Sequence, residues 1–474
     1  MTLARKITVV GASRLGCDFA LKAAAAGHEV TLIDEHPQDM GQMAFDAPWF
    51  YGSAIPAAVA NANAVAQSVL EGSPALASCF EAGIDVRVGT VAWGAFQNVP
   101  NSQHIGPPKV GLVDAEGNAM LEHDALAVAT GHRDFVPSFR GSDLPGVFGV
   151  KAGLAWLDLY RCYEGKRTLV LGTSARAVEF ARRAMAAGVE IVGMIEPSDR
   201  FQAGKAAAAE IAGLGIPVHF ATTILGAEGR MAIEAARLCA VVGGDEAILA
   251  CDSICCAIAV LPNIELPAAM GCRLRFDTGA GLWLPETDAA GRTSLDGVLW
   301  LSDFVASDVD AALAALAEPA ARDGKTPPAP PALAGTLRTW VAALLATGGG
   351  GVTLCKCEEI TRDDFLGLRP PPYLGVGLRH PQSPVSTSLA GPTIHQDQLK
   401  RLTRVGMGHC QGKRCRDEAA ILLSVQFGTD LETIRPGSYR FPVRPVALAR
   451  IAAEEPPGER WSYWLHEPEF KVEE

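Results

Sequence analysis

Ile7-Thr8-Val9-Val10-Gly11-Ala12-Ser13-Arg14-Leu15-Gly16 decides the fold. A β-branched apolar run enters a glycine-rich turn, and residues 18–26 read as a helix that Gly27 ends. A second strand, residues 29–33, then closes on Asp34. This is the β–turn–α–β pattern of a dinucleotide-binding unit. The turn and helix N-terminus receive a pyrophosphate, and an acid about 20 residues further on meets a ribose hydroxyl. Gly11 and Gly16 occupy the outer glycine positions, but Ser13 stands at the middle one, adding atoms where phosphate comes closest.

The same pattern recurs further along. Residues 168–171 form a strand that enters Gly172-Thr173-Ser174-Ala175-Arg176-Ala177, followed by a helix to Ala187 and a strand ending at Glu196. Only the first glycine survives there, and the terminal acid disfavours a 2′-phosphate. A fold relic that binds nothing is the expectation, with NAD(P) as the alternative. Residues 126–128 form a buried strand running into Ala129-Thr130-Gly131, and residues 298–303 a strand ending on Asp303. The fold class is therefore α/β, with two tandem dinucleotide-binding domains followed by a small cysteine-containing domain.

The expected division is 1–160 for the first part of an FAD-type domain, 161–255 for an inserted NAD(P)-type domain, and 256–322 for the return to the first. Residues 323–350 read as a Pro/Gly-rich linker with a short helix, 351–425 as the cysteine module, and 426–474 as an extended tail. The Pro-rich run beginning at Asp323 is the clearest boundary.

The whole chain has 474 residues, 49% hydrophobic and 20% charged, with a net charge of −12. This composition excludes collagen-like, disordered and small disulfide-scaffold classes and speaks against a general nucleic-acid binder. No apolar run reaches the ~18–20 residues of a membrane span. The N-terminus leads straight into the first strand rather than a signal peptide, so a cytoplasmic location is expected.

Of the twelve cysteines, eight lie in apolar surroundings and read as small core residues. Cys355, Cys357, Cys410 and Cys415 differ. Cys-x-Cys and Cys-x₄-Cys give two close pairs, each suited to one iron of a [2Fe-2S] centre. A four-cysteine zinc site is the alternative, although its knuckles usually take two to four intervening residues. Between positions 400 and 416 there are six Lys/Arg and no Asp or Glu, and nearby cations favour reduction of an anionic cluster. No catalytic constellation for substrate chemistry is visible, so catalytic residues stay unassigned. His132 and His409 read as structural.

The tandem folds, with Ala-Thr-Gly before the second and Asp303 ending a late strand, resemble the two-domain flavoprotein disulfide reductases. The segment from Asp34 through Gly41 and Gln42 is similar to that family's stretch after the ribose-binding acid. The cysteine segments Cys355-Lys356-Cys357-Glu358-Glu359 and Gly408-His409-Cys410-Gln411-Gly412-Lys413-Arg414-Cys415 resemble a bacterioferritin-associated-ferredoxin-type (BFD-like) [2Fe-2S] domain. Together they resemble the flavoprotein α subunit of heteromeric amino-acid and amine dehydrogenases, such as opine oxidase, hydrogen cyanide synthase and proline or hydroxyproline dehydrogenase.

That resemblance implies a flavin-dependent complex oxidising the C–N bond of an amino acid, opine or secondary amine. Its substrate site would lie on a D-amino-acid-oxidase-like flavoprotein β subunit. A small ferredoxin-like γ subunit, FMN at a subunit interface and an external one-electron acceptor are further implications. FAD, or another adenine nucleotide, would be held by Gly11, Ser13, Gly16, Asp34, Gln42, Gly131 and Asp303. The metal ligands would be Cys355, Cys357, Cys410 and Cys415. Two other readings stay open: a self-contained NAD(P)H-dependent acceptor reductase, and a scaffold subunit with a vestigial nucleotide site.

Overall fold

A computed structural model describes residues 4–37, 61–99, 106–244, 246–304, 308–316, 333–375 and 393–451. In chain order its main elements begin with β1 (Lys6–Val10), α1 (Arg14–Ala25), β2 (Glu29–Ile33), β3 (Asp85–Arg87), β4 (Ala125–Val128) and β5 (Val147–Gly149). They continue with β6 (Arg167–Leu171), α2 (Ala175–Ala186), β7 (Glu190–Glu196), β8 (Val218–Phe220), β9 (Ser253–Cys256) and β10 (Val298–Trp300).

Two parallel sheets carry the chain. The first has the order β10-β4-β1-β2-β3 and the second β8-β7-β6-β9-β5. Strands buried on both faces need uninterrupted apolar runs, and β4 meets that demand along its whole length and β9 from Ile254 onward. The return of β10 to the first sheet makes the second an insertion in it. The second sheet starts at Val147, because β5 pairs with β9; this lies ahead of the boundary at residue 161 expected from the sequence.

Both glycine-rich turns are built alike. α1 begins at Arg14, earlier than the periodicity predicted, because the Ser13 hydroxyl caps it by accepting the Gly16 N–H. Ser174 caps α2 through the Ala177 N–H. Gly11 has φ +107°, and a Cβ there would stand 2.4 Å from the Ala129 carbonyl oxygen. A Cβ on Gly16 would stand 2.0 Å from the Gly11 carbonyl oxygen, so both glycines are required by backbone crowding.

The C-terminal elements are α3 (Leu333–Gly348), the hairpin β11 (Thr353–Cys355) and β12 (Ile360–Thr361), and α4 (Arg362–Leu366). After these come β13 (Ile394–His395), α5 (Gln396–Thr403), α6 (Arg416–Phe427) and β14 (Ile434–Arg435). The expected linker helix proves to be a full element. α3 spans 16 residues and buries Leu337, Trp340, Val341 and Leu344. One hydrophobic core runs from Val10 and Val128 through Trp340 to Cys355, Cys415 and Leu423. The proline-rich run therefore marks a boundary in sequence, whereas in space the cysteine module packs into the flavoprotein-like half.

Polar groups lock that contact. The Arg133 guanidinium donates to the Pro262 carbonyl at 2.6 Å, to Asp417 at 2.6 Å and to the Lys413 carbonyl at 3.2 Å. Glu418, 2% exposed, accepts from the Ser138 amide and hydroxyl at 3.0 and 2.8 Å. Arg362 donates to the Ser138 and Leu344 carbonyls. Part of the expected tail also belongs to the body: β14 pairs with β13, and the Val443 amide donates to the Trp93 carbonyl.

Candidate functional site: a nucleotide cleft ending at a cysteine loop

A cleft of about 410 Å³ opens at the carboxyl ends of β1, β2 and β4, where open α/β sheets place ligands. Its walls include Gly11, Ser13, Asp34, Gly131 and Asp303. Five of the seven expected nucleotide residues thus share one cavity. Gly16 lies behind it, in the helix–strand contact, and Gln42 lies outside the described residues. The volume falls within the usual range for small-molecule sites.

Asp34 is held by its own loop. Its carboxylate accepts the Ala12 amide at 2.6 Å, the His36 amide at 2.8 Å and the His36 Nδ1 at 2.9 Å. Burial alone would raise its pKa, but the hydrogen bonds and charge of His36 prevail and lower it. A carboxylate so fixed has a defined direction for a ribose hydroxyl. At the other end Asp303 is exposed, and the buried Ser302 hydroxyl accepts the Phe304 amide at 3.2 Å. Ser302 therefore turns the chain at Asp303.

The sequence reading missed the cations of this cleft. Lys151, Lys413 and Arg444 all line it. Lys151 donates to the His132 carbonyl, and Arg444 pairs with Glu35 at 2.6 Å. Burial, with Lys151 and Arg176 nearby, depresses His132 to about 4, leaving it neutral at physiological pH. Lys413 is the informative member: it sits between Cys410 and Cys415, so one loop carries both thiols and a wall of the nucleotide cleft. Lone cations distant in sequence give no local pattern, which is why spacing could not find them.

The second unit is closed by its own side chains. Glu196 is 1% exposed and accepts from the Thr173 hydroxyl at 3.0 Å, the Gln202 amide at 2.8 Å and the Ser198 hydroxyl at 3.2 Å. Ser174 donates to the Ala257 carbonyl at 2.6 Å. The acid that would meet a ribose is consumed internally, and burial raises its pKa.

The four cysteines of the module come together, but not in the grouping their spacing suggested. Cys355 contacts Cys415 and Cys357 contacts Cys410, because the β11–β12 turn faces the loop before α6. Cys410 is pushed toward thiolate by the Cys357 hydrogen bond and then, against burial, by the Arg414 and Gly412 amides. Cys355 is lowered by Cys415 and by the amides of Gly406 and Glu358. Among the described residues no three ligating side chains converge on one point. Four thiols in two contacting pairs, with backbone amides beside them, are a donor set that either a [2Fe-2S] group or a single zinc ion can take. The other eight cysteines are all buried, as expected of core residues.

Comparison with known proteins agrees with this architecture. Residues 5–324 match the model of the pyridine nucleotide-disulphide oxidoreductase family, and residues 394–455 match the sarcosine oxidase A3 domain. One of the opine oxidase subunits of Agrobacterium tumefaciens (strain Ach5) is 23% identical over 491 aligned residues, covering 94% of this chain and 91% of that protein. The corresponding opine oxidase protein of Rhizobium meliloti is 24% identical, covering 94% and 87%. The alpha subunit of sarcosine oxidase from Rhizobium meliloti (strain 1021) is 27% identical over 40% of this chain and 18% of its own length. Among solved structures, L-proline dehydrogenase from P. horikoshii shares the fold, with a TM-score of 0.61 and 17% identity over 95% of this chain and 80% of that one. The two glycine-rich units, their parallel sheets and this match over most of the chain agree: the protein belongs to the pyridine nucleotide-disulphide oxidoreductase family.

Proposed function

We propose that this chain is the nucleotide-binding, electron-relaying subunit of a heteromeric dehydrogenase that oxidises the C–N bond of an amino acid, opine or secondary amine. One observation carries the reading: the Cys410–Cys415 loop supplies two thiols and also lines, through Lys413, the cleft at the first glycine-rich turn. The likeness to opine oxidase subunits across nearly the whole chain supports the same substrate class.

In this reading Gly11 and Gly16 shape the turn, and the first-turn amides of α1, which lack intrahelical acceptors, meet the pyrophosphate of FAD or another adenine nucleotide. Asp34 holds a ribose, and Asp303 meets the ribityl chain when the nucleotide is FAD. Lys151 and Lys413 offset phosphate charge. Cys355, Cys357, Cys410 and Cys415 hold a [2Fe-2S] group, which supplies one-electron steps between a two-electron donor and an external acceptor. The substrate site lies on a D-amino-acid-oxidase-like β subunit, with FMN between the large subunits and a ferredoxin-like γ subunit completing the assembly. The internally filled second unit speaks against a self-contained NAD(P)H reductase.

Anaerobic purification followed by iron, sulfide and nucleotide analysis tests the proposal. About two irons and two labile sulfides per chain are expected, together with a nucleotide released by acid. Stoichiometric zinc without sulfide would overturn it.

A further inference from the structure

The four thiols differ in their access to solvent. Cys355 and Cys415 are buried at 1% exposure, whereas Cys357 and Cys410 are half-buried. Beside the half-buried pair, Tyr373 is 55% exposed, Leu402 40% and Met407 39%.

Contacts tie these residues to one edge. The Tyr373 hydroxyl donates to Glu358, the neighbour of Cys357, and Arg404 donates to the same carboxylate at 2.6 Å. The Met407 amide donates to the Arg404 carbonyl at 2.9 Å. Gly408 lies flat on Cys357, where a Cβ would come within 2.2 Å of the cysteine Cβ. Leu402 belongs to the last turn of α5, just before Arg404.

Charge gives the partner its sign. Arg401 and Arg414 are exposed, within a chain of net charge −12, whereas Lys413 turns to the nucleotide cleft, Arg416 is buried and Arg404 is held by Glu358. On the facing turn Glu358 is already engaged by Arg404, leaving Glu359 as the exposed acid there. Two exposed arginines beside a small apolar centre make a transient docking site, in which charge steers the encounter and apolar contact holds it.

We infer that this edge docks an acidic one-electron carrier protein, with Cys357 and Cys410 as the exit side. The inference deepens the proposed function and rests on its iron–sulfur assignment. In the exchange one electron passes to the carrier's own centre, so the carrier is reduced and the iron–sulfur group oxidised. No bond forms or breaks and no proton moves.

The test is binding of an acidic plant-type [2Fe-2S] ferredoxin to the full-length purified chain, read by calorimetry at two salt concentrations, with basic cytochrome c as the opposite probe. Ferredoxin is expected to bind, with affinity falling at least tenfold between 50 and 200 mM salt. Arg401→Glu should weaken binding about tenfold and Leu402→Ser several-fold. Ile248→Ser, at an exposed position in the second unit, should leave it unchanged. Circular dichroism and iron content of each variant report its folding. Equal binding of cytochrome c, or ferredoxin binding indifferent to Arg401→Glu, would overturn the inference. If two irons per chain are present but ferredoxin does not bind, the docking edge falls while the proposed function stands. If iron and sulfide are absent, both fall.

Discussion

The two glycine-rich units began from the same plan and ended with opposite interiors. In each, a glycine at positive φ turns the chain, a serine caps the following helix, and an acid ends the next strand. At the first, Asp34 is pinned by backbone amides and a histidine at the wall of an open cleft. At the second, Glu196 is sealed under Thr173, Ser198 and Gln202. What distinguishes the two units is therefore who satisfies the acid, and the glycine count is a poor guide to that. The cysteine module adds to the contrast, because its Lys413 completes the first cleft alone.

The largest effect should come from the clasp between module and cleft. Arg133→Met leaves Glu265, 3.4 Å from the guanidinium, and Asp417, 2.6 Å from it, without their shared cation, and removing one partner of a mostly buried ion pair costs about 3–5 kcal/mol. Thermal unfolding should show that loss, and nucleotide content should fall with it. Retention of both would mean that the module does not support the first cleft.

Next come the glycines. Gly11→Ala and Gly172→Ala both force a Cβ into backbone at positive φ, at 2.4 Å from the Ala129 oxygen and 2.8 Å from the Ile258 Cα. Each should cost about 2–4 kcal/mol. Only Gly11→Ala should reduce the nucleotide recovered after acid extraction. Equal loss from both variants would break the contrast.

The acids should differ more subtly. Asp34→Asn turns a donor toward amides that need an acceptor and should cost about 1–3 kcal/mol at neutral pH, whereas Glu196→Gln keeps an oxygen for Thr173 and Gln202 and should stay within about 1 kcal/mol. The pH dependence has opposite signs. The lowered pKa of Asp34 contributes stability that is present above 3.8 and lost as pH falls through the folded value. The raised pKa of Glu196 contributes stability that is present below 4.5 and lost as pH rises through the folded value. Melting curves from pH 3 to 8 should therefore lose part of their acid limb in Asp34→Asn and flatten above pH 4.5 in Glu196→Gln.

The smallest expected effect is none. NADH titrated into the purified chain should produce neither binding heat nor flavin bleaching, because the second unit offers no free acid to a ribose. Rapid bleaching would reverse the comparison and restore the reductase reading.

Local pattern alone determined the two β–α–β units, their key glycines, the core character of eight cysteines and the special standing of the other four. Those features rest on steric limits and hydrophobic periodicity that act within a few residues. Tertiary structure alone decided the rest: that Lys151, Lys413 and Arg444 meet in one cleft, that the thiols pair across two loops, and that the module shares a core with the nucleotide half. It also decided which acid stays open, since Gln202 reaches Glu196 from beyond the strand. Burial, charge pairing and the filling of a cavity depend on groups far apart in the chain, and only their shared position in space brings those forces into play.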